Sequence, residues 1–503
     1  MNSKRVVLIP GLGIAAAIGY AIGRSPAFGF AATAGLLITI GIVISARVRL
    51  LIVLAGGLLV FQSDSEVGAT KYAYLTAIIL ATGLSLLRLA RSREPVLTAF
   101  RPLLPASAGL LLIIGSSAFV ARGSGTSMTN WSRDVLPYLL VALLPAVGLD
   151  AAQDVSGKNA ERLLVVAGFV AAAGFALDWL SRRGVSSLGV GRIVLATSTL
   201  AALGFAYSLT KAGLGPHRPR WLLASTAILT LMLISGTRTN IFLLAAAVGV
   251  AGSRASLRVP ARRILGLILQ IVAAVAVVLP LVASALIDNP VFFQSRISGA
   301  MSVITGQGAP DQSFVERQRA YAVARDTFLQ FPWFGVGPGH TFTTSALGLD
   351  SASLDTPWIV PAKLGVIGVV ALMIYIATVM ACVRRLRKLA GWSTLVTAGL
   401  GWAATLLALF PFGPWIEDKG FAIALAVYLA ALVATARDSL AVKSTPRQVL
   451  PAGPPKSSEA SAEQRRLPTN LEVQYTQPTQ ASGSGSPAAH RVGSGVGVLP
   501  REP

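Results

Sequence analysis

Long apolar runs, broken at short intervals by charged connections, decide what this chain can become. A helix needs about 20 predominantly apolar residues to cross a hydrocarbon layer. Within that layer its backbone must satisfy its own hydrogen bonds, so helices are favoured over loops or open strands. Such runs recur from residue 6 to residue 436. They include 72–87, 103–121, 135–149, 163–180, 358–382 and 421–436. The pattern predicts an all-α polytopic membrane protein with about 12–14 transmembrane helices. Composition agrees: 53% of residues are hydrophobic and 13% charged, against roughly 25% charged in a soluble domain.

The net charge of +22 could suit a nucleic-acid binder. Here the charges punctuate the apolar runs instead of gathering on a soluble module, so they read as a topology signal and no nucleic-acid partner is expected. Lys4 and Arg5 precede an apolar run ending near Gly23, read as a first retained span. With the amino terminus in the cytoplasm, the inner connections carry 21 Lys and Arg, Arg49 among them, and the short outer ones 9. This bias favours cytoplasmic termini.

Four regions follow. Residues 1–287 form an N-terminal transmembrane bundle of about 11 spans. Residues 288–357 form one long extracytoplasmic loop, and 358–439 hold about three further spans. Residues 440–503, rich in Pro, Ser, Gly, Gln and Ala, read as a disordered cytoplasmic tail. The single cysteine, Cys382, allows no disulfide within the chain. His217, His340 and His490 stand far apart, so neither a metal site nor a cofactor is expected.

The long loop holds the densest polar pattern. Neither proline nor glycine occurs from Ser313 to Phe331, while apolar residues recur at helical spacing, predicting an amphipathic helix. Arg317, Arg319 and Arg325 would lie on its polar side, either as a solvated face or as anion ligands. Then comes Pro332-Trp-Phe-Gly-Val-Gly-Pro-Gly-His340. Gly335, Gly337 and Gly339 permit positive φ and close backbone approach. They form a tight turn or a nest of amides for a phosphate. Two cations stand elsewhere. Arg238 sits in a polar island, Ser235 to Asn240, between apolar runs. Lys363 follows Pro361 inside the next apolar run. Each could snorkel to the interface or face a site.

Together these segments resemble the O-antigen ligase and polysaccharide polymerase superfamily of membrane proteins. The resemblance rests on Arg317 and Tyr321, on Pro332 to Gly339 with Phe342, on Leu364-Gly-Val-Ile-Gly368, and on Ser235-Gly-Thr-Arg238 upstream. It covers roughly residues 220–385. It implies a fold similar to the C-type glycosyltransferases. The implied activity is transfer of glycan from a polyprenyl-diphosphate-linked oligosaccharide on the outer face of the cytoplasmic membrane. Membrane lipid, and the flippase and chain-length regulators of the same pathway, are the implied partners. Arg238 and Arg317, with Arg319, would bind diphosphate, because guanidinium forks pair bidentately with phosphate oxygens. Lys363 and the three glycines would complete that site. The ligases carry a histidine shortly before the closing Gly-x-x-Gly. Here the corresponding place reads Leu354-Asp355-Thr-Pro-Trp358. Asp355 or His340 would therefore be the catalytic base, and the departure leans toward a polymerase of surface or exopolysaccharide. A lipid-linked glycan flippase or polysaccharide transporter is the rival expectation.

Overall fold

The computed structural model describes residues 37–60, 69–181, 198–214, 218–234, 245–252, 312–343, 356–391, 393–412 and 415–444, with a few isolated positions between them. All lie in the compact unit Met1–Pro446. The expected span at 6–23, most of that at 264–287, and the tail beyond Ser444 lie outside the described residues.

The described residues are overwhelmingly helical. In chain order they form α1 (Ala46–Val60), α2 (Ala69–Arg91), α3 (Pro95–Thr98), α4 (Leu103–Gly123), α5 (Met128–Ala151), α6 (Gly157–Ser181), α7 (Ser198–Leu214), α8 (Arg218–Ile234) and α9 (Ala245–Gly252). There follow α10 (Gln312–Gln330), the two-residue strands β1 (Phe342–Thr343) and β2 (Asp350–Ser351), α11 (Ile359–Ala390), α12 (Thr394–Leu409) and α13 (Lys419–Ser444). The strands pair antiparallel, Phe342 opposite Ser351. Among the described residues five helices are long and apolar enough to cross a membrane: α2, α4, α5, α11 and α13. Most of α8 and the whole of α12 are shorter apolar helices.

α5 and α13 form the centre. Both are apolar nearly all round and buried along most of their length, as expected for helices enclosed by other helices. Small residues let them touch: a Cβ on Gly148 would fall 2.1 Å from the Ala426 carbonyl oxygen. Gly168 of α6 meets Gly204 of α7 in the same way, and Gly249 of α9 meets Leu400 and Gly401 of α12. Such contacts suit a bilayer, where helices associate by close packing and not by hydrophobic exclusion.

α5 begins seven residues earlier than the apolar run at 135–149 suggests. Thr129, Asn130, Ser132, Arg133 and Asp134 look like a loop by hydropathy, yet they are helical. The start is set by Ser127, whose hydroxyl accepts from the Asn130 amide at 3.2 Å. Removing that cap by Ser127→Ala is expected to cost about 1 kcal/mol, read as a fall in thermal midpoint of the detergent-solubilised protein. Ser127→Asp should keep most of it.

The two ends of α5 are polar in different ways. At its C-terminal end Asp150 is buried and accepts from Arg49 and, at 3.0 Å, from the Ser85 hydroxyl. Arg49, expected in a connection, lies instead inside α1 and is itself buried. Arg88 forks onto Asp154 at 2.7 and 2.8 Å, and this bond holds the Asp154 carboxyl below its ordinary range. Arg437 of α13 donates to the carbonyls of Ala152, Gln153 and Val155, and Asp438 accepts from the Gly157 amide at 2.8 Å. These side chains satisfy orphan groups at the end of α5 and the start of α6.

Candidate functional site

The opposite end of α5 is where the glycine turn docks. α11 is not continuous: Gly365 adopts φ +64 and breaks it six residues after its start. The break frees backbone groups, and the turn takes them up. Val336 N donates to Ala362 O at 2.9 Å and Gly337 N to Lys363 O at 3.0 Å. In the other direction Val366 N donates to Pro332 O at 2.7 Å and Ile367 N to Trp333 O at 3.2 Å. The turn thus replaces the helical bonds that α11 forgoes. Irregular backbone in a membrane-spanning helix is tolerated where protein covers it in this way.

The glycines make that contact possible. Gly335, Gly337 and Gly339 all have positive φ, between +68 and +86. A Cβ would lie 2.5 Å from the Ala362 and Lys363 carbonyl oxygens at Gly335, 2.7 Å from the Ala121 backbone at Gly337, and 2.5 Å from the Trp131 amide at Gly339. The turn is therefore wedged between the α4–α5 corner and the break in α11. Ser124 adds a hydrogen bond to Val336 O at 2.9 Å. The amides of Gly335, Val336, Gly337 and Gly339 all donate to protein acceptors. In this geometry they hold the turn down.

Beneath the turn lies a buried ionic cluster. The side chain of Lys363 is 0% exposed, and its Nζ donates to Asp134 Oδ1 at 2.7 Å and to Glu417 Oε1 at 2.8 Å. Asp134 Oδ2 accepts from the Gly339 amide at 2.6 Å. Glu417 Oε1 accepts from the Tyr138 hydroxyl at 2.8 Å. One ammonium, two carboxylates, a phenol and an amide therefore join the turn, α5, α11 and the connection before α13. Burial raises the Glu417 carboxyl above its ordinary range, with the Lys363 ammonium opposing. The next residue, Asp418, accepts from Thr199 N at 3.2 Å and from Gly420 N at 2.8 Å, so one carboxylate caps both α7 and α13. Burial raises it too, against those bonds.

Lys363 thus neither snorkels to the interface nor offers its charge to an open cavity: two protein carboxylates hold it. Asp134, Tyr138 and Glu417 escaped the sequence reading. The signal for them was available in principle, since a lysine inside an apolar run demands acids near the same end of neighbouring helices.

α10 occupies the stretch free of proline and glycine. Ala320 and Ala324 are buried, Val323 and Phe328 half-buried, and Arg319, Arg325 and Asp326 exposed. Its inner face rests on Trp358 at the start of α11, through Tyr321 at 6.0 Å and Phe328 at 5.5 Å between ring centroids. Arg317, half-buried, stands one turn before Tyr321 on that side. Arg325 pairs with Asp326. His340, half-buried, follows the residue bonded to Asp134 and packs edge-on against Phe342 at 5.0 Å. Arg238 and Asp355 lie outside the described residues.

No protein-family model matches this chain, and no curated protein matches it.

Proposed function

We propose that this protein is an integral membrane glycosyltransferase that uses a polyprenyl-diphosphate-linked glycan on the outer face of the cytoplasmic membrane and extends a surface or exopolysaccharide. The observation that carries the reading is the meeting of three parts at one end of the bundle: the arginine-bearing α10, the glycine turn, and the break in α11. Discontinuous membrane helices recur at binding sites, where a helix end freed by the break faces an anionic group of the substrate.

In this reading an acceptor hydroxyl attacks the anomeric carbon as the bond to the diphosphate oxygen breaks. The hydroxyl proton passes to His340 or Asp355. The electron pair leaves with the diphosphate, whose charge is met by Arg317, Arg319 and Arg238. Lys363 and the three glycines support the site without touching the substrate. Arg317→Ala is then expected to lower turnover about tenfold with membrane expression unchanged, as befits one charge-assisted contact. Unaltered turnover removes Arg317 from the site.

A second reading has its own support. Flippases and transporters carry ionised groups within their spans, and here Asp134, Lys363, Arg49 and Asp150 lie on helices and are paired there. Purified protein in liposomes, given a polyprenyl-diphosphate oligosaccharide, separates the two. Lengthened glycan with release of polyprenyl diphosphate supports the transferase. Movement of the lipid between leaflets with no new glycosidic bond replaces it with a flippase.

A further inference from the structure

The Pro-Trp-Phe step that opens the glycine turn carries two large aromatic side chains that the bundle leaves uncovered. Trp333 is 66% exposed and Phe334 56%, and at the end of α10 Leu329 is 63% and Phe331 51% exposed. This apolar surface is not isolated. The bonds from Val366 N to Pro332 O and from Ile367 N to Trp333 O staple it to the flank of α11. Along that flank Val366, Val370, Met373 and Ile374 are also exposed. α11 is apolar enough to cross a membrane and is mostly uncovered by protein, so this flank is where lipid lies.

The depth follows from helix geometry. From Gly365 the chain runs 19 residues without a charge to Arg384, the first of a basic group ending at Lys388. At about 1.5 Å per residue this spans roughly 28 Å, close to the ~30 Å hydrocarbon thickness. With the basic group at one boundary, Gly365 marks the other. Trp333 and Phe334 are held beside Gly365, since a Cβ there would lie 2.3 Å from the Trp333 carbonyl and 2.5 Å from the Phe334 amide. Tryptophan and its relatives favour that boundary, where an apolar body and a polar backbone are both accommodated.

We propose that Leu329, Phe331, Trp333 and Phe334 form a membrane-seated surface whose partner is the bilayer itself, at the boundary between headgroups and acyl chains. The glycine turn is then pinned from two sides: protein holds its backbone, and lipid holds its aromatic step. This inference is independent of which reaction the protein performs.

The single cysteine makes the test direct, because Cys382→Ser yields a cysteine-free chain. In that background Trp333→Cys, Phe334→Cys and, as a comparison near the start of α10, Gln318→Cys are labelled with an environment-sensitive fluorophore. The full chain is placed in phosphatidylcholine nanodiscs with lipids spin-labelled at the headgroup, at acyl carbon 5 or at acyl carbon 16. Labels at 333 and 334 are expected to emit to the blue of the label at 318. They should be quenched about threefold more by the headgroup and carbon-5 spin labels than by carbon 16. Either position suffices if the other variant fails to fold. Equal quenching by aqueous iodide at 333, 334 and 318, with none by the spin-labelled lipids, overturns the proposal. So does lipid protection that appears only as protein density in the membrane is raised, which marks a second copy of the chain as the partner.

Discussion

Lys363→Met is expected to destabilise the bundle by about 3–5 kcal/mol, the penalty for leaving buried carboxylates without their counter-charge. The lysine side chain has no contact with solvent, and each of its acidic partners keeps only 11% of its side-chain exposure. Once it is gone, Asp134 keeps the Gly339 amide and Glu417 keeps the Tyr138 hydroxyl, but a neutral donor does not replace the charge of the ammonium between two neighbouring anions. The measurement is the thermal midpoint of purified protein in detergent, followed by monodispersity after heating. Asp134→Asn and Glu417→Gln in the same chain should recover most of the loss, since a fully neutralised cluster no longer buries unpaired charge. A single variant that melts like the parent would show that the cluster does not hold the fold.

The second large effect is at the turn. Gly335→Ala is expected to cost about 3 kcal/mol or more, combining a left-handed backbone that L-residues resist with an overlap of packed atoms. The added methyl would sit 2.5 Å from two carbonyl oxygens of the broken helix. Gly125 supplies the comparison. It also has positive φ, +78, but open space surrounds it, so Gly125→Ala should cost only about 1–2 kcal/mol of backbone strain. Limited proteolysis reads the difference: cleavage within 332–340 should rise in the Gly335 variant and stay at the parent level in the other. Equal behaviour of the two variants would mean that the close contact with α11 contributes nothing.

What was legible in the sequence divides along physical lines. Helical character, the extent of α10 and the conformational demand of Gly335, Gly337 and Gly339 are local, and local pattern revealed them. Lys363 stood out because an ionised group in an apolar run is costly anywhere in a membrane. Its partners did not stand out. Asp134 lies in the polar first turns of α5, which hydropathy reads as a connection, and Glu417 lies in a real one. Their meeting with Lys363, across 229 and 54 residues of chain, is a fact of packing. Arg49 misled for the matching reason: at the edge of an apolar run it looked like a topology marker, whereas Asp150 draws it inside. Which acceptors the amides of the glycine turn find met the same limit, because it depends on the break in α11.

α13 carries a consequence for how the molecule is made. Asp418, the residue just before it, caps α7, and its own last turns brace the corner between α5 and α6 through Arg437 and Asp438. α5, its main neighbour, is complete at Ala151, whereas α13 begins only at Lys419. During translation at about 5–20 residues per second, α5 therefore stands in the membrane for roughly 15–50 s before the helix that encloses it is synthesised. For most of that interval Asp134 waits for Lys363, and throughout it the small-residue groove around Gly148 lies open. Closure of the bundle is a late event, and a ribosome that stalls before α13 leaves behind a chain whose polar helix surface is ready-made for recognition by membrane quality control.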